Sequence, residues 1–165
     1  MSEEMDFKQL LKQPEVRDMF SKRSGAHQEL GIELIDSDDD TARMRVPFRG
    51  AFVRSIEQPA LHPGVVMTAV DSAMGLATML ALPEPSSLAT LELRYDELRL
   101  PAECDDVVVS AQCESIDDGI AYLVATASDS AGVFARAVAR FILTPSTSGF
   151  FETVLATINE REGSS

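Results

Sequence analysis

One acidic side chain, Asp71, interrupts a long apolar run in this sequence. The run, Leu61 to Leu80, reads LHPGVVMTAVDSAMGLATML. Burying an ionised carboxylate is costly unless it is paired, so an acid at this position needs a partner or a function. A carboxylate partly shielded from water is suited to general-base or nucleophilic chemistry. A purely structural role, in which Asp71 hydrogen-bonds a partner chain where two helices pack closely, is equally compatible with the spacing.

Small or polar residues share one side of this run if it is helical. At 100° per residue, they form a stripe with members three or four positions apart. The members are Gly64, Thr68, Asp71, Gly75 and Thr78. The opposite side is apolar and is expected to pack on a sheet; it carries Val66, Val70, Ala73, Met74, Ala77 and Leu80. A glycine inside a helix costs about 1 kcal/mol relative to alanine. The pattern therefore predicts that Gly75 makes room for another group beside Asp71, and in the reading as an enzyme that group is the substrate.

The flanking sequence predicts the elements that would hold this helix. Pro63 is a favourable first helical residue, and the helix is expected to run to Leu82. Before it, the runs LGIELI and ARMRVPF flank the acidic turn DSDDD and predict a hairpin, followed by an irregular loop over residues 49–61. After it, four antiparallel strands are predicted, joined by the turn signals DDG and DSAG. Their expected ranges are Leu88–Leu98, Val107–Ile116, Ala121–Ser128 and Val133–Leu143.

Alternation in the first of these strands predicts which residues face the core. In TLELRYD, the side chains of Leu91, Leu93 and Tyr95 are expected on one apolar face, with Thr90 on the other. The sequence as a whole predicts one α+β domain over residues 27–144, preceded by a helical extension (1–26) and followed by a short helix and tail (145–165). The extension is expected to form two short helices that break near Pro14.

Composition and charge narrow the possible functions. The 165 residues are 45% hydrophobic and 25% charged, which is typical of a folded domain. A net charge of −13 disfavours non-specific nucleic-acid binding. The two cysteines and two histidines form no motif for a disulfide framework or a metal site. The acidic start, MSEEMDFKQL, is unlike a signal peptide, and Asp71 within the apolar run favours a core helix over a membrane span, so we expect a cytoplasmic protein with no membrane partner.

The order of these elements, together with LHPGVVMTAVDSAMGLA, resembles the hotdog fold of the PaaI-like acyl-CoA thioesterases. The central helix of that family opens with His-Gly-Gly and carries a catalytic Asp nine positions after the His, and His62 and Asp71 have this spacing. The segment ATLELRYDELRLPA (residues 89–102) is similar to the family's following strand, ATxDLRxDYLRPA. GVFARAVARFIL is similar to its final strand, so the resemblance covers residues 27–143.

The resemblance implies an antiparallel sheet wrapped around one long central helix and hydrolysis of a small or medium acyl-CoA, which could be aromatic. It assigns the base or nucleophile to Asp71 and an assisting hydroxyl to Thr90. In the family the Asp comes from the partner subunit. Gly64 and Asp71 are about 10.5 Å apart along a helix, far for one carbonyl and its attacker, which agrees with a homodimer that could stack into a homotetramer. No cofactor is expected beyond the CoA part of the substrate.

The sequence departs from the family pattern at the start of the helix. Pro63 replaces the first glycine of His-Gly-Gly and has no N–H, and the loss of one oxyanion donor typically costs about 2.7–4 kcal/mol of transition-state stabilisation. The amide of Gly64 is therefore expected to be the donor. His62 is expected either to contact the substrate or to cap the helix, and Gln58 to replace an Asn that the family often has.

Arginines are the expected contacts for the CoA phosphates. We expect Arg99 in particular to bind substrate, with Arg54, Arg136 and Arg140 as further candidates. ELRLPA is one residue longer than the family's YLRPA, which predicts a β-bulge beside the pocket.

Two other functions stay open. Pro63 would be explained by a hotdog module that binds an acyl thioester, or serves as an interaction partner, without catalysis. A hotdog dehydratase or isomerase also has Pro-Gly at this junction, but its helix acid comes five residues after the glycine, and here that position is Ala69. Seven residues return Asp71 to within about 20° of Gly64, so the spacing favours hydrolysis.

Overall fold

A computed structural model describes residues 9, 13–22, 24–83 and 86–144. Residues 1–8, 10–12 and 23 of the predicted N-terminal extension and the predicted C-terminal helix and tail (145–165) lie outside these residues. In chain order the helices are α1 (Pro14–Lys22), α2 (Gly25–Leu30) and α3 (Pro63–Ala81), with a 3-10 turn at Gly50–Phe52. The strands are β1 (Glu33–Ser37), β2 (Thr41–Val46), β3 (Ser87–Glu97), β4 (Val107–Asp117), β5 (Ile120–Asp129) and β6 (Gly132–Thr144).

All six strands form one antiparallel sheet in the order β1-β2-β4-β5-β6-β3. The hairpins follow their turn residues: Asp118 and Gly119 both have positive φ (45° and 74°), as the tight turn between β4 and β5 requires. The order leaves β1 and β3 at the two edges of the sheet. The four strands predicted after the helix are confirmed to within one residue, and the hairpin around the acidic turn is confirmed, with β1 beginning three residues later than predicted.

The long helix α3 packs against strands β2 to β6, which wrap around it. All six residues of its predicted apolar side are at most 1% exposed. The facing side of the sheet is rich in buried alanines, whose small side chains let the helix approach closely: Ala121, Ala125, Ala127, Ala135, Ala137 and Ala139. This is the predicted hotdog arrangement of a sheet wrapped around one central helix.

Helix α3 is long and apolar enough to cross a membrane by length and composition alone, and 56% of its apolar window is buried inside the structure. A core helix passes the same test, and the contacts of α3 with the sheet account for its composition. His62 caps the helix and Pro63 is its first residue. Pro83, two positions after Ala81, cannot continue the helix.

The predicted face alternation in β3 is wrong at its start. The register between β3 and β6 shifts between Thr90 and Glu92, so Leu91 is the extra residue of a β-bulge. As a result Leu91 is 53% exposed, whereas Leu93 packs against the core. The bulge also places Thr90 on the side of the sheet that faces α3, opposite to the prediction. A second irregularity follows β3, where the amides of Leu98 and Arg99 both donate to the carbonyl of Phe134. Two amides on one carbonyl are the pattern of the bulge that ELRLPA predicts.

Candidate active site

Asp71 and Thr90 meet at the edge of the sheet. The hydroxyl of Thr90 donates a 2.8 Å hydrogen bond to Oδ1 of the Asp71 carboxylate. Asp71 is half-buried and Thr90 is exposed, so the pair is open to solvent. No hydrogen bond between described residues uses Oδ2 of Asp71. One oxygen is thus held in place, and the other is available to accept a proton or to attack an electrophile.

The amides at the start of α3 are all in use. Pro63 has no N–H, and the amide of Gly64 donates to Nδ1 of the His62 ring at 3.1 Å. The next two amides, of Val65 and Val66, donate to the carbonyl of His62 at 2.9 and 3.3 Å. His62 is expected either to contact the substrate or to cap the helix, and in this structure it caps the helix. The Gly64 amide can bind a substrate oxygen only after the His62 ring turns away.

Gly75 does not provide the open space that its place in the stripe predicts. It is buried, and a Cβ atom built on it would lie 3.5 Å from the ring of Phe141 and 3.6 Å from Leu88. Thr78, one turn further on, is also fully buried and bonds the carbonyl of Met74. The open part of the stripe therefore extends from Gly64 to Asp71 only.

Gln58 lies in a different place from the Asp71 carboxylate. It lines a small cavity of about 60 Å³ in the loop before α3. The other lining residues are Arg54, Ala60, Leu100, Pro101 and Glu103. No described contact joins Gln58 to Asp71 or Thr90, so within this chain the two sites are separate.

Arg99 is paired with a buried acid of the same chain, and its role in substrate binding stays a prediction. Its guanidinium forms two hydrogen bonds, of 2.9 and 2.6 Å, with the carboxylate of Asp129, whose side chain is 0% exposed. It also donates to the carbonyls of Leu100 and Gly132. The hydrogen bonds from Arg99, aided by the amides of Ala102 and Ala131, lower the pKa of Asp129 to about 2 against the effect of burial.

Two of the other candidate arginines also have acidic partners. Arg140 pairs with Glu92 at 2.7 Å, and Arg54 pairs with Glu97. The sequence gives no signal for the second pair, because its members are 43 residues apart and lie in a loop and a strand. Arg136 is exposed on β6 and forms no ion pair with the described residues. It is the candidate that stays available for a phosphate.

Tyr95 lies beside the Arg54–Glu97 pair. Its hydroxyl is buried and has no hydrogen-bond partner among the described residues. Burial, with the nearby carboxylate of Glu97, raises the pKa of this phenol to about 12. Tyr95 therefore stays protonated and can act only as a neutral hydrogen-bonding group.

The cysteines do not form a nucleophilic site. Cys113 is buried in β4, and burial raises the pKa of its thiol, which lowers its reactivity. Cys104 is exposed in the loop between β3 and β4. In the part of the chain that the structure describes, no three His, Cys, Asp or Glu side chains lie together as metal ligands.

Comparison with known sequences finds a relative that matches part of this chain. The chain is 34% identical to a candidate esterase of Halobacterium salinarum over 79 residues, which is 46% of this chain and 52% of that protein. The match thus spans about half the length of this relative. No protein-family model matches the sequence.

Solved structures superpose over most of the domain. A thioesterase of Haemophilus influenzae matches with a TM-score of 0.71 and 18% identity, over 80% of this chain and 90% of that chain. The PaaI protein of the phenylacetic acid degradation operon of E. coli matches with a TM-score of 0.68 and 16% identity, over 79% and 91%. A thioesterase-family protein of Silicibacter pomeroyi matches with a TM-score of 0.66 and 22% identity, over 77% and 93%. At these identities the likeness establishes the fold. The resemblance predicted from the sequence is therefore confirmed at this level: the chain has the hotdog fold of the PaaI-like thioesterase structures.

Proposed function

We propose that this protein hydrolyses the thioester bond of a small or medium acyl-CoA, with Asp71 as the catalytic acid–base group or nucleophile. The observation that carries the proposal is the 2.8 Å hydrogen bond from Thr90 to Asp71. It fixes a half-buried carboxylate on the open part of the central helix, at the position that the family resemblance assigns to catalysis. The thioesterases among the solved structures with this fold add support.

The groups that react with the thioester are water and the Asp71 carboxylate. As a base, Asp71 takes a proton from water while the water oxygen attacks the thioester carbonyl carbon. The carbon–sulfur bond then breaks, and the CoA sulfur takes the proton from Asp71 as it leaves. As a nucleophile, Asp71 itself displaces the CoA thiolate and forms a mixed anhydride, which water opens. Both routes yield a carboxylic acid and free CoA.

The carbonyl oxygen must be stabilised as it becomes negative, and the Gly64 amide is the group placed for this. It lies in the first turn of α3, where the helix dipole favours negative charge. His62 occupies this amide at 3.1 Å. In the proposed mechanism the substrate oxygen displaces the ring, which turns on its own side-chain bonds.

A second copy of the chain would complete the site. Strand β3 is an edge strand of eleven residues, and its outer edge has unpaired backbone groups that can pair with another strand. Exposed leucines lie in this strand and in the segment that follows it, with Leu91 at 53%, Leu98 at 59% and Leu100 at 50%. Pairing of two β3 strands around a twofold axis would bring the Thr90–Asp71 pair of one copy towards the helix start of the other. We therefore propose a homodimer with two composite sites.

A non-catalytic module that binds acyl thioesters is the second candidate. It is favoured by the state of the helix start, where Pro63 has no N–H and His62 holds the Gly64 amide. A protein with this function would bind CoA thioesters and release no thiol.

Release of free CoA separates the two candidates. Purified protein is incubated with a panel of acyl-CoAs, and the thiol is followed with a colorimetric reagent. We expect release with at least one substrate, and a fall in kcat of at least about a hundredfold in Asp71→Asn. Asp96→Asn is the matched control, because Asp96 is an exposed acid of the same strand as Thr90 and pairs with Arg94. Binding of the acyl-CoAs without release of thiol by the wild type would favour the module.

A further inference from the structure

A second polar contact holds the central helix next to Asp71, and neither the sequence pattern nor the family resemblance points to it. Nε2 of His27, in α2, lies 2.7 Å from the hydroxyl oxygen of Ser72. Both side chains are half-buried, and they are 45 residues apart in the sequence. A serine hydroxyl can donate or accept, so the contact forms with either neutral form of the ring.

The two contacts lie on opposite sides of the open stripe. Successive residues of a helix point about 100° apart, so Asp71 and Ser72 face different neighbours, which are β3 and α2. On the same helical wheel, Gly64 and Thr68 point between these two directions. Viewed down the helix axis, the directions of Gly64 and Thr68 are therefore flanked by Thr90 on one side and by His27 on the other, and both contacts lie about one turn further along the helix than Thr68.

Helix α2 is held at its C-terminal end, although none of its residues is buried. It ends at Gly31, which has a φ of 70°, and the next amide, of Ile32, donates to the carbonyl of His27 at 2.9 Å. The Ile32 side chain is only 2% exposed. These contacts fix the end of α2 that leads into β1. The His27–Ser72 contact fixes the face that α2 turns towards α3.

The pair does not have the surroundings of a catalytic serine. Ser72 lies in the middle of α3, where the neighbouring amides donate to carbonyls one turn back along the helix. No free donor is therefore left beside it to stabilise an oxyanion. Its position suits a structural contact between α3 and α2 better than a nucleophilic attack.

We propose that His27, held by Ser72, is a specificity-determining residue that forms the second wall of the acyl site and limits the size of the acyl group. This inference rests on the proposed function, since it concerns the same open stripe on α3. If the contact is removed, α2 can move away from the helix and larger acyl groups fit. The smallest acyl groups do not reach the wall, so their turnover does not change.

The test compares acetyl-CoA with benzoyl-CoA in matched variants. Ser72→Ala and His27→Ala should each raise the ratio of kcat/KM for benzoyl-CoA to that for acetyl-CoA by about three- to tenfold, the range expected for one hydrogen bond. The double variant should change the ratio no more than one single variant does, because both remove the same contact. Ser72→Thr keeps the hydroxyl and should restore the wild-type ratio. Ser24→Ala is the control, because Ser24 precedes α2 and its side chain makes no capping hydrogen bond.

Binding of the non-hydrolysable thioether analogues of the two substrates separates this inference from the proposed function. If no variant releases CoA but the same variants shift the relative affinities for the two thioethers, hydrolysis is wrong and the wall is supported. If the benzoyl-to-acetyl ratio is unchanged in both kcat/KM and thioether affinity, the proposal that His27 limits the size of the acyl group is wrong. A loss of kcat for acetyl-CoA of about a hundredfold in Ser72→Ala also overturns it, because the serine would then act in the chemistry itself.

Discussion

At the scale of single residues, the Thr90 hydroxyl is the group that orients the proposed catalytic carboxylate. It holds Oδ1 of Asp71 and leaves Oδ2 without a described hydrogen bond. A hydrogen bond to a charged group is worth about 1.5–3 kcal/mol. We therefore expect Thr90→Ala to lower kcat by about ten- to a hundredfold, since 1.4 kcal/mol is a factor of ten. Thr90→Ser keeps the hydroxyl and should stay within a few-fold of the wild type. Equal losses in the two variants would show that the hydroxyl has no such role.

For His62 we predict that removal of the side chain raises activity, whereas removal of the Thr90 hydroxyl lowers it. Since the His62 ring occupies the Gly64 amide, its removal should free the oxyanion donor. We expect His62→Ala to raise kcat/KM and to lower the free energy of unfolding by about 1 kcal/mol, the usual value of a helix cap. His62→Asn retains a capping acceptor and should behave like the wild type in both measurements. A loss of activity in His62→Ala would mean that the ring contacts the substrate instead.

The residue types at the site were readable from the sequence, but their contacts were only partly so. The spacing of His62 and Asp71 and the role of Thr90 came from the family resemblance. The prediction of the face on which Thr90 lies is wrong, because a bulge at Leu91 changes the alternation of the strand. The alternating order of apolar and polar residues in the sequence does not show where such a bulge occurs. The close packing around Gly75 could not be predicted either, because it depends on Phe141, which is distant in the sequence.

At the scale of elements, Arg99 and Asp129 join the segment after β3 to the end of β5. The Asp129 carboxylate accepts from Arg99 and from the amides of Ala102 and Ala131. Its pKa of about 2 lies below the value of about 3.9 for an unfolded chain. The stabilisation is therefore fully present above about pH 4 and is lost as the pH falls towards 2.

This pair predicts a pH-dependent loss of stability. Arg99→Met should lower the free energy of unfolding in urea near neutral pH, because it leaves the buried carboxylate of Asp129 without its cation. The difference from the wild type should shrink between about pH 4 and pH 2. Arg94→Met is the control: Arg94 is 74% exposed in its pair with Asp96, and such pairs contribute about 0–1 kcal/mol. A rise in the KM for CoA substrates, with no change in stability, would contradict this structural role and support the predicted substrate-binding role of Arg99.

The elements themselves followed closely from local signals. The helix predicted from Pro63 to Leu82 ends at Ala81, and the strand predicted at Leu88–Leu98 is Ser87–Glu97. Turn residues and the change from helical to alternating patterns carry this information within a few positions. The contact between His27 and Ser72 is different, because it joins two elements through one polar atom on each and has no periodic signal.

At the scale of the whole molecule, the edge of β3 is the surface proposed to join two copies. Lysine on an edge strand opposes pairing with another strand. We expect Leu91→Lys to convert the protein to monomers in light scattering and to lower the turnover of acyl-CoA. Val138→Lys is the control, since Val138 is 50% exposed on β6 and lies away from the edge. A monomeric wild type, or a monomeric Leu91→Lys variant with full activity, would contradict a shared site.

The central claim is that the Asp71 carboxylate of one copy works with the Gly64 amide of the other. Mixing two inactive variants tests it directly. Asp71→Asn removes the carboxylate, and Gly64→Leu blocks the approach to the helix start, where Gly64 is exposed and has no positive φ. The two proteins are unfolded together, refolded and assayed for free CoA. Random pairing makes half of the dimers mixed, and each mixed dimer has one intact site, so we predict about a quarter of wild-type activity. A mixture that stays as inactive as its two parents would contradict the claim.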